Sequence, residues 1–182
     1  MKLFKNGLLM AITLLAMYGC GGSGGSGGAG GGEAAPKTPA QAVAQLEAQG
    51  KIPSNLDRSN TLAGIDADGN GIRDDVDAYI AAKFTPNQQP VARQVARAVQ
   101  GEILVDKADK QAVRNAATKS SRALQCSYYK LPNPADARIR YQIVFDTIGV
   151  TTNTKPRLLA YLAHSKAMDG TVLVDLTGDT CE

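Results

Sequence analysis

The chain has 182 residues, 20 of them Lys or Arg and 17 Asp or Glu, and setting aside Lys2 and Lys5 in the first segment leaves a nearly neutral body. That balance argues against a nucleic-acid partner, which calls for a basic face that neutralises phosphates. With no Trp and three Phe, a core must be built from Ala, Val, Leu and Ile, and the roughly 145 residues after a Gly-rich stretch are enough for one domain.

Lys2 and Lys5 precede an apolar run from Leu8 to Tyr18, too short to span a bilayer and the right length for a signal-peptide core. Residues 1–19 are therefore read as a signal peptide. They end in AMYGC, Ala16 to Cys20. The Gly19-Cys20 pair resembles the lipobox of bacterial lipoproteins, where a small residue precedes a cysteine that is lipidated and becomes residue one. Met17 and Tyr18 stand where that family usually has Leu and a small residue. The resemblance implies lipidation at Cys20, a place in the bacterial cell envelope and a membrane partner held through the lipid. Gly21 rather than Asp after the cysteine points to the outer membrane, facing periplasm or surface.

Residues 20–37 then make up the lipidated cysteine and a disordered linker. The run GGSGGSGGAGGGEAAPKTPA, Gly21 to Ala40, is a Gly/Ser coil turning Pro/Ala-rich, with a root-mean-square reach of about 5–6 Å times the square root of its length. An ordinary secreted protein with a disordered N-terminus, or an uncleaved anchor, is the alternative.

Residues 38–182 read as a helical domain without internal repeats. Thr38 as N-cap, Pro39 at the first helical position, Gln41 three residues after the cap and Gly50 as the stop outline a first short helix. From Arg73 to Phe84, Val76, Tyr79, Ile80 and Phe84 recur at three- and four-residue spacing, an amphipathic stripe. Thr85-Pro86 repeats the Thr-Pro opening, and Val91, Val95, Val99 and Ile103 mark one buried face of the helix after it. Asp106 is expected to cap a helix ending near Tyr129, before Pro132 and Pro134. Asn133 is expected to cap another, with Ile139, Ile143 and Phe145 to Ile148 as its apolar positions. A last helix runs from about Lys155 to Met168 and stops at Gly170. Thr171 to Leu176 alternates weakly as a short extended piece with no partner strand. The expected fold is all-α, a small bundle of about six helices after the tether.

One stretch carries specific chemistry. DADGNGIRDDVD, Asp66 to Asp77, sets oxygen-bearing residues at alternating positions around two glycines. It resembles an EF-hand loop, which takes ligands from positions 1, 3, 5, 7, 9 and 12 and turns at a glycine in position 6. It also resembles the thrombospondin type-3 loop, whose Asp-x-Asp-Gly-x-Gly-Ile-x-Asp-x-x-Asp pattern is met throughout. The resemblance implies Ca²⁺ as the cofactor, held by Asp66, Asp68, Asn70, the Ile72 carbonyl, Asp74 and Asp77 at 66–77, with the Ile72 side chain turned to the core. Position 12 is Asp77 where an EF-hand has Glu, and the segment before the loop lacks the stripe of an entering helix. The competing reading is that Asp-Gly and Asn-Gly form turns while Asp74, Asp75 and Asp77 complement a helix dipole. That leaves the like charges of Asp66 and Asp68 unexplained.

With Cys20 assigned to lipid, Cys126 and Cys181 remain, and an oxidising compartment favours one disulfide between them, pinning the C-terminal tail to a helix. No catalytic constellation is legible. His164 is the sole histidine, on an expected helix and expected at the surface or boundary. The G-x-S-x-G matches at Ser23 and Ser26 lie in the tether, without the strand-turn-helix context of a nucleophile elbow. Tyr128, Tyr129 and Tyr141 suit sugar or peptide binding but are expected to pack between helices. The sequence thus reads as a non-enzymatic, lipid-anchored envelope protein with one structural calcium loop, acting on an unknown envelope or extracellular protein partner. The alternatives are a small envelope enzyme and a helical module that binds a small ligand.

Overall fold

In the computed structural model, residues 35–36, 38–173 and 176–182 are described. The segment expected to be a signal peptide, Cys20 and nearly all of the expected tether lie outside the described residues, as do two residues of the weakly alternating piece near the C-terminus. Among the described residues the fold is all-α, with no strand. The piece expected to be extended has no regular structure over 171–173.

Helix α1 (Pro39–Ala48) starts as its sequence dictates. The Thr38 hydroxyl accepts from the Gln41 amide at 3.2 Å while the Gln41 side chain accepts from the Thr38 amide at 3.1 Å, a reciprocal cap that satisfies two otherwise orphaned donors. It contributes no buried residue, and an ion pair between Glu47 and Arg58, 2.6 Å, links it to the loop that follows.

Helix α2 (Asp74–Lys83) emerges directly from the acidic loop, with Asp74, Asp75 and Asp77 in its first turn where they offset the dipole. Val76, Ile80 and Phe84 are buried, and Ile72, in the loop, joins them. Burying each such side chain contributes about 1.5–3 kcal/mol.

The axis of the molecule is α3 (Gln89–Leu104), which packs against α2, α4 (Lys110–Lys130), α5 (Ala137–Thr151) and α6 (Lys155–Ala167). Val91, Val95, Val99 and Ile103 are all buried, as the four-residue spacing requires, and Ala92, Ala96 and Ala98 widen the buried face. These small residues are how a core without Trp closes, because they let neighbouring helices approach around the whole circumference.

Three helix starts fall later than the sequence reading places them. Thr85-Pro86 opens a turn, with the Thr85 carbonyl accepting from the Gln88 and Gln89 amides, and α3 begins at Gln89 with Pro90 in its first turn. Asp109, not Asp106, caps α4, its carboxylate accepting from the Gln111 and Ala112 amides at 2.9 Å. Asp106 closes the preceding turn through the Ala108 amide, and Lys107 donates to the carbonyls of Glu102, Ile103 and Val105 at the end of α3, the complement of a helix C-terminus. Asn133 starts a 3₁₀ turn over Pro134–Asp136 before α5.

A disulfide joins Cys126 of α4 to Cys181, 55 residues on, so the tail is pinned to a helix. The Gln94 amide donates to the Thr180 carbonyl and the Thr180 hydroxyl to the Arg122 carbonyl.

Candidate metal loop and its anchor

The loop reverses direction at Gly71, whose φ of 82° lies in the left-handed region and whose Cβ, if present, would stand 3.1 Å from the Arg97 side chain. Conformation therefore favours glycine here, and a Cβ would also crowd the Arg97 side chain. Around this turn Asp66, Asp68 and Asp74 each place a carboxylate oxygen so that the three lie within 4.8 Å of one another, all exposed. A Ca²⁺ shell with bonds of about 2.3–2.6 Å has a diameter of about 5 Å, so the separation fits a shared hard cation.

The same carboxylates organise the backbone. Asp66 accepts from the amides of Asn70 and Gly71, Asp68 from the amide and side-chain nitrogen of Asn70, and Asp74 from the Ala67 amide. The Asn70 carbonyl oxygen of the side chain accepts from the Ile72 amide at 2.8 Å. A carboxylate oxygen carries two lone pairs, so these bonds hold the loop in shape and leave acceptor capacity for a cation. Carboxylates this close repel one another unless a positive charge joins them.

The remaining expected ligands divide. The Ile72 side chain is buried, as its place between loop and core demands. Asp77 is not gathered into the trio: its Oδ1 accepts from Arg93 Nε at 2.7 Å. Arg97 of α3 donates from Nε to the Asn70 backbone carbonyl at 2.9 Å and pairs through Nη1 with Glu182 of the disulfide-bound tail.

What the sequence reading misses is the anchor behind the loop. Arg73, between Ile72 and Asp74, is 1% exposed. Its guanidinium is clamped bidentately by Asp75, donates to the Thr151 and Val150 carbonyls at the end of α5, and reaches the Asn153 side chain. A second buried arginine, Arg157 of α6, donates to the Asp57 carboxylate and carbonyl and to Asn153. Asp75 in turn accepts from the Asp57 amide at 2.8 Å. Two guanidiniums, two carboxylates and one asparagine therefore lock the segment before the loop, the loop itself and the α5–α6 junction together. The Asp57 carboxyl is pulled down to about 2, by the Ser59 backbone amide first and by the hydrogen bond from Arg157 next. Gly64, at φ 67°, completes the fit, since a Cβ there would lie 2.2 Å from Arg73 Cδ. Arg73–Asp75 and Arg157–Asn153 are local pairs, two and four positions apart, but no local signal joins them into a knot, because the bonds that link the three segments span 18 to 100 positions.

The sole histidine is buried, contrary to the expected surface or boundary position. His164 Nε2 lies 3.1 Å from the Val113 carbonyl and Nδ1 lies 3.8 Å from Glu102 Oε1. Glu102 accepts from the Ser120 hydroxyl at 2.6 Å. Burial pushes its carboxyl up, opposed by that hydrogen bond and by His164. Ser120 donates to the carboxylate, not to the imidazole, so the three are not ordered as a serine–histidine–acid relay.

Comparison with protein-family models, with curated proteins and with solved structures finds no match to this chain.

Proposed function

We propose that the chain is a non-enzymatic, lipid-anchored protein of the bacterial cell envelope whose loop 66–77 binds one structural Ca²⁺, and that it acts through an envelope or extracellular protein partner. Convergence of the Asp66, Asp68 and Asp74 carboxylates is the observation that carries the calcium reading. Asp66, Asp68 and Asp74 would hold the ion, with the Asn70 side chain and the Ile72 carbonyl as further oxygen donors and Asp77 joining once it leaves Arg93. The ion would relieve the repulsion among the carboxylates. Because Ile72 and Arg73 follow directly and are both buried, tightening the loop also tightens α2 and the α5–α6 junction. That coupling favours a structural clip over a switch, and a single loop offers no paired site for cooperative sensing.

Membrane attachment rests on the Gly19-Cys20 lipobox resemblance and on the apolar run before it; Cys20→Ser should shift the protein from the membrane to the soluble fraction. For the metal, Ca²⁺ is titrated calorimetrically into the protein and into Asp66→Ala/Asp68→Ala, with melting recorded in calcium and in chelator. One site that disappears in the variant, and a melting temperature lowered by chelator, support the clip. Absence of saturable heat together with melting indifferent to chelator reduces the aspartates to turn formers and helix-dipole partners.

A further inference from the structure

The aromatic residues expected to pack between helices are instead turned outward. Tyr128, Tyr129, Tyr141 and Phe145 are 53%, 51%, 62% and 63% exposed. Tyr141 and Phe145, one turn apart on α5, lie stacked with centroids 6.1 Å apart and planes 11° apart. A cluster of large apolar side chains left in water is a feature that monomeric proteins keep small unless it binds something.

Tyr128, Tyr141 and Phe145 border a groove of about 250 Å³ between α4 and α5, floored by Leu124, Val144 and Ile148. The same three floor residues also line a recess of about 90 Å³ that reaches Glu102 and Ser120. The space is therefore concave and apolar, the form of a small-molecule site rather than a flat docking face.

Arg140 is the one charged side chain lining the groove among the described residues. Its guanidinium lies 4.7 Å from the Tyr128 ring centroid, and its Nη1 donates to the backbone carbonyls of Leu131 and Asn133. Those contacts hold it in place without neutralising it, for no carboxylate pairs with it among the described residues. A positioned, uncompensated guanidinium presents a fork of donors matched to a carboxylate.

We propose that the α4–α5 groove binds a small amphipathic monoanion, a medium-chain or aromatic carboxylate, with its apolar part on Leu124, Val144 and Ile148 and its carboxylate on Arg140. This goes beyond the calcium-clip reading and does not depend on it. The groove and the loop share no side chain, so loading one does not require the other.

The test is a calorimetric titration of the full chain with octanoate, an apolar tail ending in one carboxylate, and with octanol as the uncharged counterpart. The expected result is one saturable site that prefers octanoate by about tenfold, the effect of one charge-assisted hydrogen bond. Arg140→Gln abolishes that preference, and Phe145→Ala, an exposed position that leaves folding intact, weakens both ligands alike. Absence of saturable heat with the folded protein overturns the proposal, as does equal affinity for octanoate and octanol that Arg140→Gln leaves unchanged. A concentration-dependent dimer in sedimentation that Phe145→Ala dissolves and octanoate does not would assign the groove to a second copy of the chain and overturn it equally.

Discussion

Arg73 Nη1 donates to the Thr151 carbonyl at 2.8 Å across 78 positions of sequence. A residue in the eighth position of the acidic loop thereby caps the C-terminus of α5, the end where a helix dipole favours positive charge. Removing Arg73 leaves the partly buried Asp75 without its cation and two helix-end carbonyls without a donor. Arg73→Ala should cost on the order of 3–5 kcal/mol, the penalty of breaking a buried pair from one side. Arg73→Lys should restore only a minor part, since an ammonium cannot grip Asp75 bidentately and reach Thr151 at once. Urea denaturation of the two variants measures both, and equal stability of wild type and Arg73→Ala would show that the knot contributes nothing.

Asp57 makes the same knot sensitive to acid. Its folded-state value of about 2 lies below the ordinary 3.8, so the folded protein binds its proton less readily than the unfolded chain. The stabilisation is fully present above about pH 4 and is lost as pH falls toward 2, an effect on the order of 1–2 kcal/mol once screening of a partly exposed carboxylate is allowed for. Asp57→Asn should flatten this part of the stability profile while lowering stability at neutral pH, where Arg157 would lose its partner. Melting curves from pH 2 to pH 7, approximate limits set by the carboxylate range, read both effects.

The contrast between what could be read along the chain and what could not follows from sequence distance. Thr38 and Gln41 cap α1, and Val91 to Ile103 line α3, because capping and helical periodicity are decided within four residues. The acidic trio was legible for the same reason: Asp66, Asp68 and Asp74 sit in one loop whose glycines dictate its turn. Asp77 was placed with them by spacing alone, whereas its observed partner Arg93 lies 16 positions on, in another helix. Tyr128, Tyr141 and Phe145 satisfy the composition of a packed helix, yet α3 already fills the centre with Val, Ile and Ala, and the rings are left on the outer faces of α4 and α5. On α6 the inward positions belong to Arg157 and His164, while Leu158, Leu159 and Leu162 are half exposed. Periodicity reports which residues share a face but not which face the tertiary fold turns inward.

Glu102 works in the opposite sense to Asp57. Burial raises its carboxyl above the ordinary 4.5, so the folded protein holds this proton more tightly than the unfolded chain. Its contribution to stability is fully present below about pH 4.5 and is lost as pH rises through the elevated folded-state value. Glu102→Gln keeps an acceptor for the Ser120 hydroxyl and removes the charge, so it should raise the melting temperature at neutral pH. The gain should shrink in acid, where wild-type Glu102 is itself neutral. A fall in melting temperature at neutral pH would instead mean that attraction between the Glu102 carboxylate and His164 outweighs desolvation.

The C-terminal tail links the disulfide to the acidic loop. Cys181 is bonded to α4, Glu182 pairs with Arg97 at 2.7 Å, and Arg97 donates to the Asn70 carbonyl in the loop. Replacing Cys126 and Cys181 together by Ala releases a cross-link spanning 55 positions, worth about 4 kcal/mol if unfolded-chain entropy is the whole effect. The exposed Arg97–Glu182 pair adds little by itself, so freeing the tail should leave the loop in place, held by Asn70 and Arg73. The double variant should therefore unfold at a markedly lower urea concentration while keeping the same stabilisation by Ca²⁺ over chelator. Loss of that calcium increment along with the disulfide would mean that the tail, through Arg97, positions the loop for its cation.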